Sequence, residues 1–118
     1  MFTCFIKYIL DSDKITEFEE YARIWMVLVE KHGGIHHGYF LPSNPEDLPD
    51  SSFSFPDIGK SAPNNIAVAL FSFPSLEKYN AYKKAVSEDE NCKAITIHFN
   101  KKKCFLSYEH GFLKPIFP

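Results

Sequence analysis

Long apolar runs are missing from this chain: no stretch approaches the ~20 consecutive apolar residues that a membrane helix requires. The first ten residues are apolar but broken by Lys7, with no basic start and no small-residue cleavage site, so they do not read as a signal peptide. Cysteine is scarce. Cys4, Cys92 and Cys104 are odd in number, far apart and without a CxxC pair. This pattern reads as reduced thiols in a cytoplasmic protein. Excess positive charge is also absent, with 13 Lys+Arg against 15 Asp+Glu, which argues against a nucleic-acid surface. The short run Lys101-Lys102-Lys103 reads as a solvated helix end or turn. Walker loops, Rossmann glycine motifs and an ordered Ser-His-Asp set do not occur. Nothing in the sequence calls for a cofactor.

What the chain does have is hydrophobic and aromatic residues, 45% and 16% of its 118 positions, with 12 Phe. That is the composition of one globular domain with a modest core, spanning 1–118. Phe2 to Leu10 is rich in β-branched and aromatic residues and reads as a first strand, apolar on both faces. Asp11, Ser12 or Asp13 is expected to cap a helix running to about His32. Its stripe, Ile15, Phe18, Ala22, Trp25, Leu28 and Val29, recurs at three- and four-residue steps. Gly33-Gly34 should stop the helix, one of the two in a left-handed conformation. Ile35 to Leu41 reads as strand two.

Residues 42–64 change character. Prolines and polar residues exclude regular structure, leaving a long Pro-rich loop that is either functional or mobile. Phe53 and Phe55 within it are candidates for docking onto the body. Asn65 to Phe73 reads as a central third strand, again apolar on both faces. Ser75 should cap a second helix that ends near Glu88 to Asn91. The segment 92–100 fits a strand by propensity or a short helix by periodicity. Lys103 to Glu109 reads as a fourth strand, followed by a tail.

The order β-α-β-β-α-(α)-β predicts an α+β, ferredoxin-like fold with an antiparallel four-stranded sheet. Right-handed crossovers place the helices on one face. Strands one and three are apolar on the other face too, and a second copy of the sheet is the economical cover. The expectation is therefore a homodimer, two sheets face to face in a dimeric α/β barrel.

Several segments carry a family likeness: Ile6-Lys7-Tyr8, Phe18-Glu19-Glu20-Tyr21-Ala22-Arg23-Ile24-Trp25, Gly33-Gly34-Ile35-His36-His37-Gly38-Tyr39-Phe40-Leu41-Pro42, Asn65 through Leu76, and Leu106-Ser107-Tyr108-Glu109. Together they resemble bacterial NIPSNAP-type proteins over nearly the whole chain, with a longer connection after Leu41-Pro42. The resemblance implies a dimeric α/β barrel, and it tips 92–100 toward helix. It implies no particular reaction. The wider superfamily includes cofactor-independent monooxygenases, haem-degrading enzymes and isomerases.

On strand two, strict alternation puts His37 with Tyr39 and His36 on the opposite face. The two histidines cannot share a metal without a bulge, and His32 could join only one of them, so no metal site is expected. If Gly38 faces the helices with Ala67 and Ala69, His37 and Tyr39 turn into the barrel. His37 would then be a general base and Tyr39 a hydrogen-bond donor. The plainer alternative is a histidine and tyrosine satisfied at the dimer seam. Lys7, Tyr8, Trp25 and His36 are the candidates for ligand contact. For Lys7 the plainer reading is a partner carboxylate, and for Trp25 a place in the core. Two functions follow as expectations: a small-molecule-binding barrel, acting as an oxidoreductase or isomerase, or a non-enzymatic interaction module using the 42–64 loop.

Overall fold

A computed structural model describes residues 1–44, 46 and 48–118. The element order is β1 (Phe2–Leu10), α1 (Ile15–Lys31), β2 (Ile35–Phe40), β3 (Ile66–Phe73), α2 (Leu76–Glu88), α3 (Glu90–Lys102) and β4 (Phe105–Leu113). The four strands form one antiparallel sheet in the order β2-β3-β1-β4. This is the α+β, ferredoxin-like arrangement that the sequence pattern predicts, and 92–100 is helical.

Helix α1 buries Phe18, Ala22, Leu28 and Val29 from the predicted stripe. Its end is a Schellman turn. The Gly34 N–H donates to the Val29 carbonyl at 2.9 Å and the Gly33 N–H to the Glu30 carbonyl at 3.2 Å. Gly33 has φ +96, the left-handed conformation that glycine adopts without a Cβ penalty. The start of α1 differs from expectation. Lys14 is the N-cap, with no side-chain cap bond. Asp11 instead closes a local turn, its Oδ1 accepting from the Asp13 N–H at 3.0 Å. The Lys14 ammonium donates to the Lys102 carbonyl at 2.7 Å, which ties the helix entry to the end of α3.

Ser75 caps α2 as expected, its Oγ accepting from the Lys78 N–H at 3.2 Å. Asp89 both ends α2 and starts α3. Its Oδ1 accepts from the N–H groups of Asn91 at 2.8 Å and Cys92 at 3.3 Å.

Strand β4 runs four residues further than its sequence suggested. Gly111 pairs with Phe5 and Leu113 with Thr3, so Gly111 does not end the strand.

The helices cover the face formed by Cys4, Ile6, Tyr8 and Leu10 of β1 and Ala67, Ala69, Phe71 and Phe73 of β3, which carries both core clusters. Ala67 and Ala69 are small where aromatic rings from β1 and α1 press in. The other face presents Phe5, Lys7, Ile9, Ile66, Val68 and Leu70, all half-buried, with Ile35 and Phe40 exposed at the β2 edge.

Among its described residues, 42–64 contains no strand or α-helix. Pro45 and Asp47 of that loop lie outside the described residues. Phe53 packs over Gly59 within the loop itself. Phe55 remains 73% exposed, so it is not docked on the body. Leu48, Ala62 and Pro63 border a cleft of about 310 Å³ with Phe40, Ile66 and Val68. The base of the loop therefore sits at the edge of the uncovered sheet face.

Candidate functional site

Helix α1 packs on β2 and α3, while α2 packs on β3 and α3. Between α1 and α2, above the sheet, a cavity of about 290 Å³ remains. Its walls are mostly aromatic. Trp25 and Tyr21 come from α1, Tyr79 and Tyr82 from α2, and Tyr8, Tyr39 and Phe71 from the sheet. Lys83, Ser87 and His110, all exposed, form its mouth. A second cleft of about 350 Å³ lies toward α3 and β4 and shares Ile6, Tyr8 and Tyr21 with the first.

Tyr8 is the hub of this aromatic cluster. Its ring centroid lies 6.3 Å from Tyr21, 6.2 Å from Tyr39 and 4.9 Å from Phe18. Burial pushes the phenols of Tyr8, Tyr21 and Tyr39 far above their ordinary range, and the neighbouring tyrosines add to the shift. The shift favours the protonated phenols, which can donate as well as accept hydrogen bonds. Tyr82 is shifted the same way by burial and by Cys4 and Cys92. Trp25 lends its ring to the cavity wall, and its buried Nε1–H has no hydrogen-bond partner.

Strand β2 does not alternate as expected. Its register against β3 slips between His36 and Gly38, with Gly38 at φ +117. His37 is the extra residue of a β-bulge. As a result His36 and Tyr39 share the helix side, stacked with ring centroids 5.0 Å apart. His37 turns to the uncovered face, the side expected to line the barrel, whereas Tyr39 does not. The pairing of His37 with Tyr39 in one cavity is thus corrected: the two lie on opposite sides of the sheet. The His37 ring bonds the Ser72 hydroxyl at 2.6 Å, and Ser72 bonds the Thr3 hydroxyl at 2.7 Å. Ser72 has no solvent exposure, which rules it out as a nucleophile in the monomer.

His36 accepts a hydrogen bond from the Gly38 N–H on Nδ1, at 2.9 Å. Burial, with the nearby His37, holds its pKa down at about 4. The ring is neutral and carries its proton on Nε2, a buried donor with no partner. Lys7 lies on the uncovered face opposite Glu109 of β4. Of the expected ligand contacts, Tyr8, Tyr39 and Trp25 therefore meet at one cavity. His36 stands just behind it, and Lys7 and His37 face away.

The sequence reading missed Lys83, His110 and the role of Tyr21. Tyr79, Tyr82 and Lys83 fall at i, i+3 and i+4 on α2, which was a usable signal. His110 was hidden by the early end assigned to strand four. Its ring is held below the ordinary histidine pKa by burial and by the Lys83 charge.

His32, Asp89 and Cys92 bring three donor atoms within 4.8 Å. The Asp89 carboxylate is already filled. Besides its two backbone donors it accepts from His32 Nε2 at 3.0 Å and Lys31 Nζ at 3.3 Å. Partial desolvation opposes its ionisation, but those bonds from Cys92, His32, Asn91 and Lys31 outweigh it and hold the carboxyl at about 2. The cluster clamps the end of α1 to the α2–α3 corner.

A four-stranded antiparallel sheet with its helices on one side and a tyrosine-walled cavity beneath them defines a ferredoxin-like α+β domain. No family model and no curated protein matches the chain. Solved structures do. An uncharacterised NIPSNAP domain protein from Burkholderia xenovorans superposes with TM-score 0.70 at 15% identity, covering 98% of this chain and 95% of that one. A NIPSNAP family protein from Agrobacterium tumefaciens gives TM-score 0.69 at 18% identity, covering 98% and 92%. A putative antibiotic biosynthesis monooxygenase from Nitrosomonas europaea gives TM-score 0.62 at 9% identity, covering 99% and 100%. The fold is thus that of the NIPSNAP domain proteins, in agreement with the likeness read from the sequence. Among the described residues no helix is long and apolar enough to cross a membrane.

Proposed function

We propose that this chain is a NIPSNAP-type protein that works as a cytoplasmic homodimer and binds a small apolar molecule between its helices and its sheet. The observation that carries the reading is the cavity of about 290 Å³ walled by aromatic rings from α1, α2 and the sheet. Volumes near ~300 Å³ with apolar walls and a few polar groups are typical of small-molecule sites. The three buried free thiols suit a reducing compartment.

Binding has more support than catalysis. The tyrosines facing the cavity stay protonated, and His36 is neutral with Nδ1 already engaged. An oxidoreductase or isomerase would need a base, and His110 at the mouth is the group positioned to act as one. His37 does not face the cavity. The alternative, an interaction module, draws on the 42–64 loop, where Phe55 and Ile58 are 73% and 83% exposed.

Native mass spectrometry of gently purified protein tests the reading. A dimer carrying a non-covalent adduct that Tyr82→Trp, which fills the cavity, displaces is the expected result. An adduct-free protein that also binds no member of an aromatic fragment set would overturn it.

A further inference from the structure

Resting on that reading of the cavity, we infer that its ligand is a flat, apolar carboxylate, bound ring-inward with its charge at Lys83. Three observations converge. First, Lys83 is the one full charge among the lining residues, and no carboxylate lines the cavity. Second, Lys83 belongs to none of the ion pairs found among the described residues. Its ammonium lies over the Tyr79 ring, 5.9 Å from the centroid, a cation–π contact that places the charge at the solvent-facing mouth. Third, the group beside it adds no negative charge. Burial and the charge of Lys83 itself hold the His110 pKa below the ordinary histidine value.

The polarity runs in one direction. The mouth has the Lys83 ammonium, the His110 imidazole and the Ser87 hydroxyl; the walls are Trp25, Tyr79, Tyr82 and aliphatic side chains. A cationic ligand would meet Lys83 with nothing to offset the repulsion. A neutral one would draw no attraction from the ammonium. An anion attached to a flat ring satisfies both ends: its carboxylate pairs with Lys83 and its ring stacks among the aromatic walls. At the inner end, protonated phenols of Tyr8 and Tyr39 offer hydrogen bonds to an oxygen on the ring.

The test compares 2-naphthoate with 2-naphthol, which share a ring system and differ in charge. Trp25 is the only tryptophan in the chain and lines the cavity, so quenching of its fluorescence reports occupancy at the site itself, with calorimetry as the second readout. The expected result is that naphthoate binds about tenfold tighter than naphthol. Lys83→Met should bring the two to equal affinity, while Lys84→Met, a control on the exposed neighbour, leaves the preference intact. Equal binding of both probes to the wild-type protein, or a preference that survives Lys83→Met, would overturn the assignment of charge while leaving the cavity reading in place. If neither probe binds or quenches Trp25, the cavity reading fails and this inference fails with it.

Discussion

His36 and Tyr39 stack on the helix side of the sheet with ring centroids 5.0 Å and planes 15° apart, although residues three apart on a regular strand point to opposite faces. The bulge at His37 reconciles the two facts. It inserts one residue into β2, so the face presented by each side chain inverts after it. Tyr39 is thereby delivered to the cavity, and His37 to the uncovered face.

The bulge depends on Gly38. At φ +117 a side chain is strained, yet a Cβ built there meets nothing within 4 Å. Gly38→Ala should therefore cost about 1–2 kcal/mol through backbone strain alone. Gly34→Ala should cost a similar amount, about 1–3 kcal/mol, for a different reason. Its Cβ would lie 2.6 Å from Val29 Cγ1 and 3.0 Å from the Phe73 ring. Urea unfolding measures both. In addition, Gly38→Ala should weaken ligand binding by disturbing the path of Tyr39, whereas Gly34→Ala reaches the cavity only through its Val29 wall. A fully stable Gly38→Ala protein would show that the bulge does not require glycine.

Much of this architecture is written in local chemistry. Apolar runs on both faces of Phe2–Leu10 and Ile66–Phe73 mark the two central strands, and they are the middle of the sheet. Gly33-Gly34 marks the end of α1 because a Schellman turn needs a residue free of Cβ strain. The bulge was not legible. Alternation is the default for any strand, and although Gly38 within the strand hints at a bulge, it does not say that His37 is the extra residue. The cavity was hidden for a related reason. It forms between α1 and α2 over the sheet, a matter of packing between segments far apart in sequence. Periodicity shows that Tyr79 and Tyr82 share a helix face with Lys83, but not that Trp25 stands opposite.

His36 should make stability depend on pH. Its folded pKa is about 4, below the ordinary histidine value of about 6.5. The unfolded chain therefore binds a proton more readily between those two values. The stabilisation is fully present above about pH 6.5 and is lost as the pH falls toward 4, at most about 3 kcal/mol in all. His36→Phe keeps the stack on Tyr39 and Phe71 and removes the titrating ring, so its stability should be flatter across that window. Urea midpoints at pH 7 and pH 5 decide the point. Equal slopes for the two proteins would mean that some other group controls the dependence.

Asp89 acts at lower pH. Its carboxyl sits at about 2 in the folded chain, below the unfolded carboxylate value of about 3.9. Its contribution is present above that unfolded value and disappears as the pH falls through about 2. Asp89→Asn retains an oxygen that can cap α3 but loses the charge that His32 and Lys31 meet. The variant should be less stable at pH 7 and close to wild type at the acid end. A constant difference down to the acid end would assign the effect to the cap rather than to the ion pairs.

The uncovered sheet face is where the proposed second copy would pack. Phe5, Ile9, Val68 and Leu70 are half-buried there, and Ile35 and Phe40 are 47% and 56% exposed. Face-to-face sheets pack about 10 Å apart with their inner side chains interleaved, and a stable pair of this kind buries on the order of 1,200–2,000 Å² in total. A second copy supplies such a face with Lys7 and Glu109 already opposite one another on neighbouring strands. Leu70→Lys should therefore convert a dimer into a folded monomer, because the change adds charge to the uncovered face and leaves the helix-side core intact. Leu76→Lys, on α2 and 56% exposed, should leave the dimer unchanged. Light scattering coupled to size exclusion distinguishes the two forms, and circular dichroism confirms that each variant is folded. A wild-type monomer at micromolar concentration would mean that this face is covered by something other than a second copy. A Leu70→Lys dimer would move the interface elsewhere, with the base of the 42–64 loop beside Phe40, Ile66 and Val68 as the next surface to disrupt.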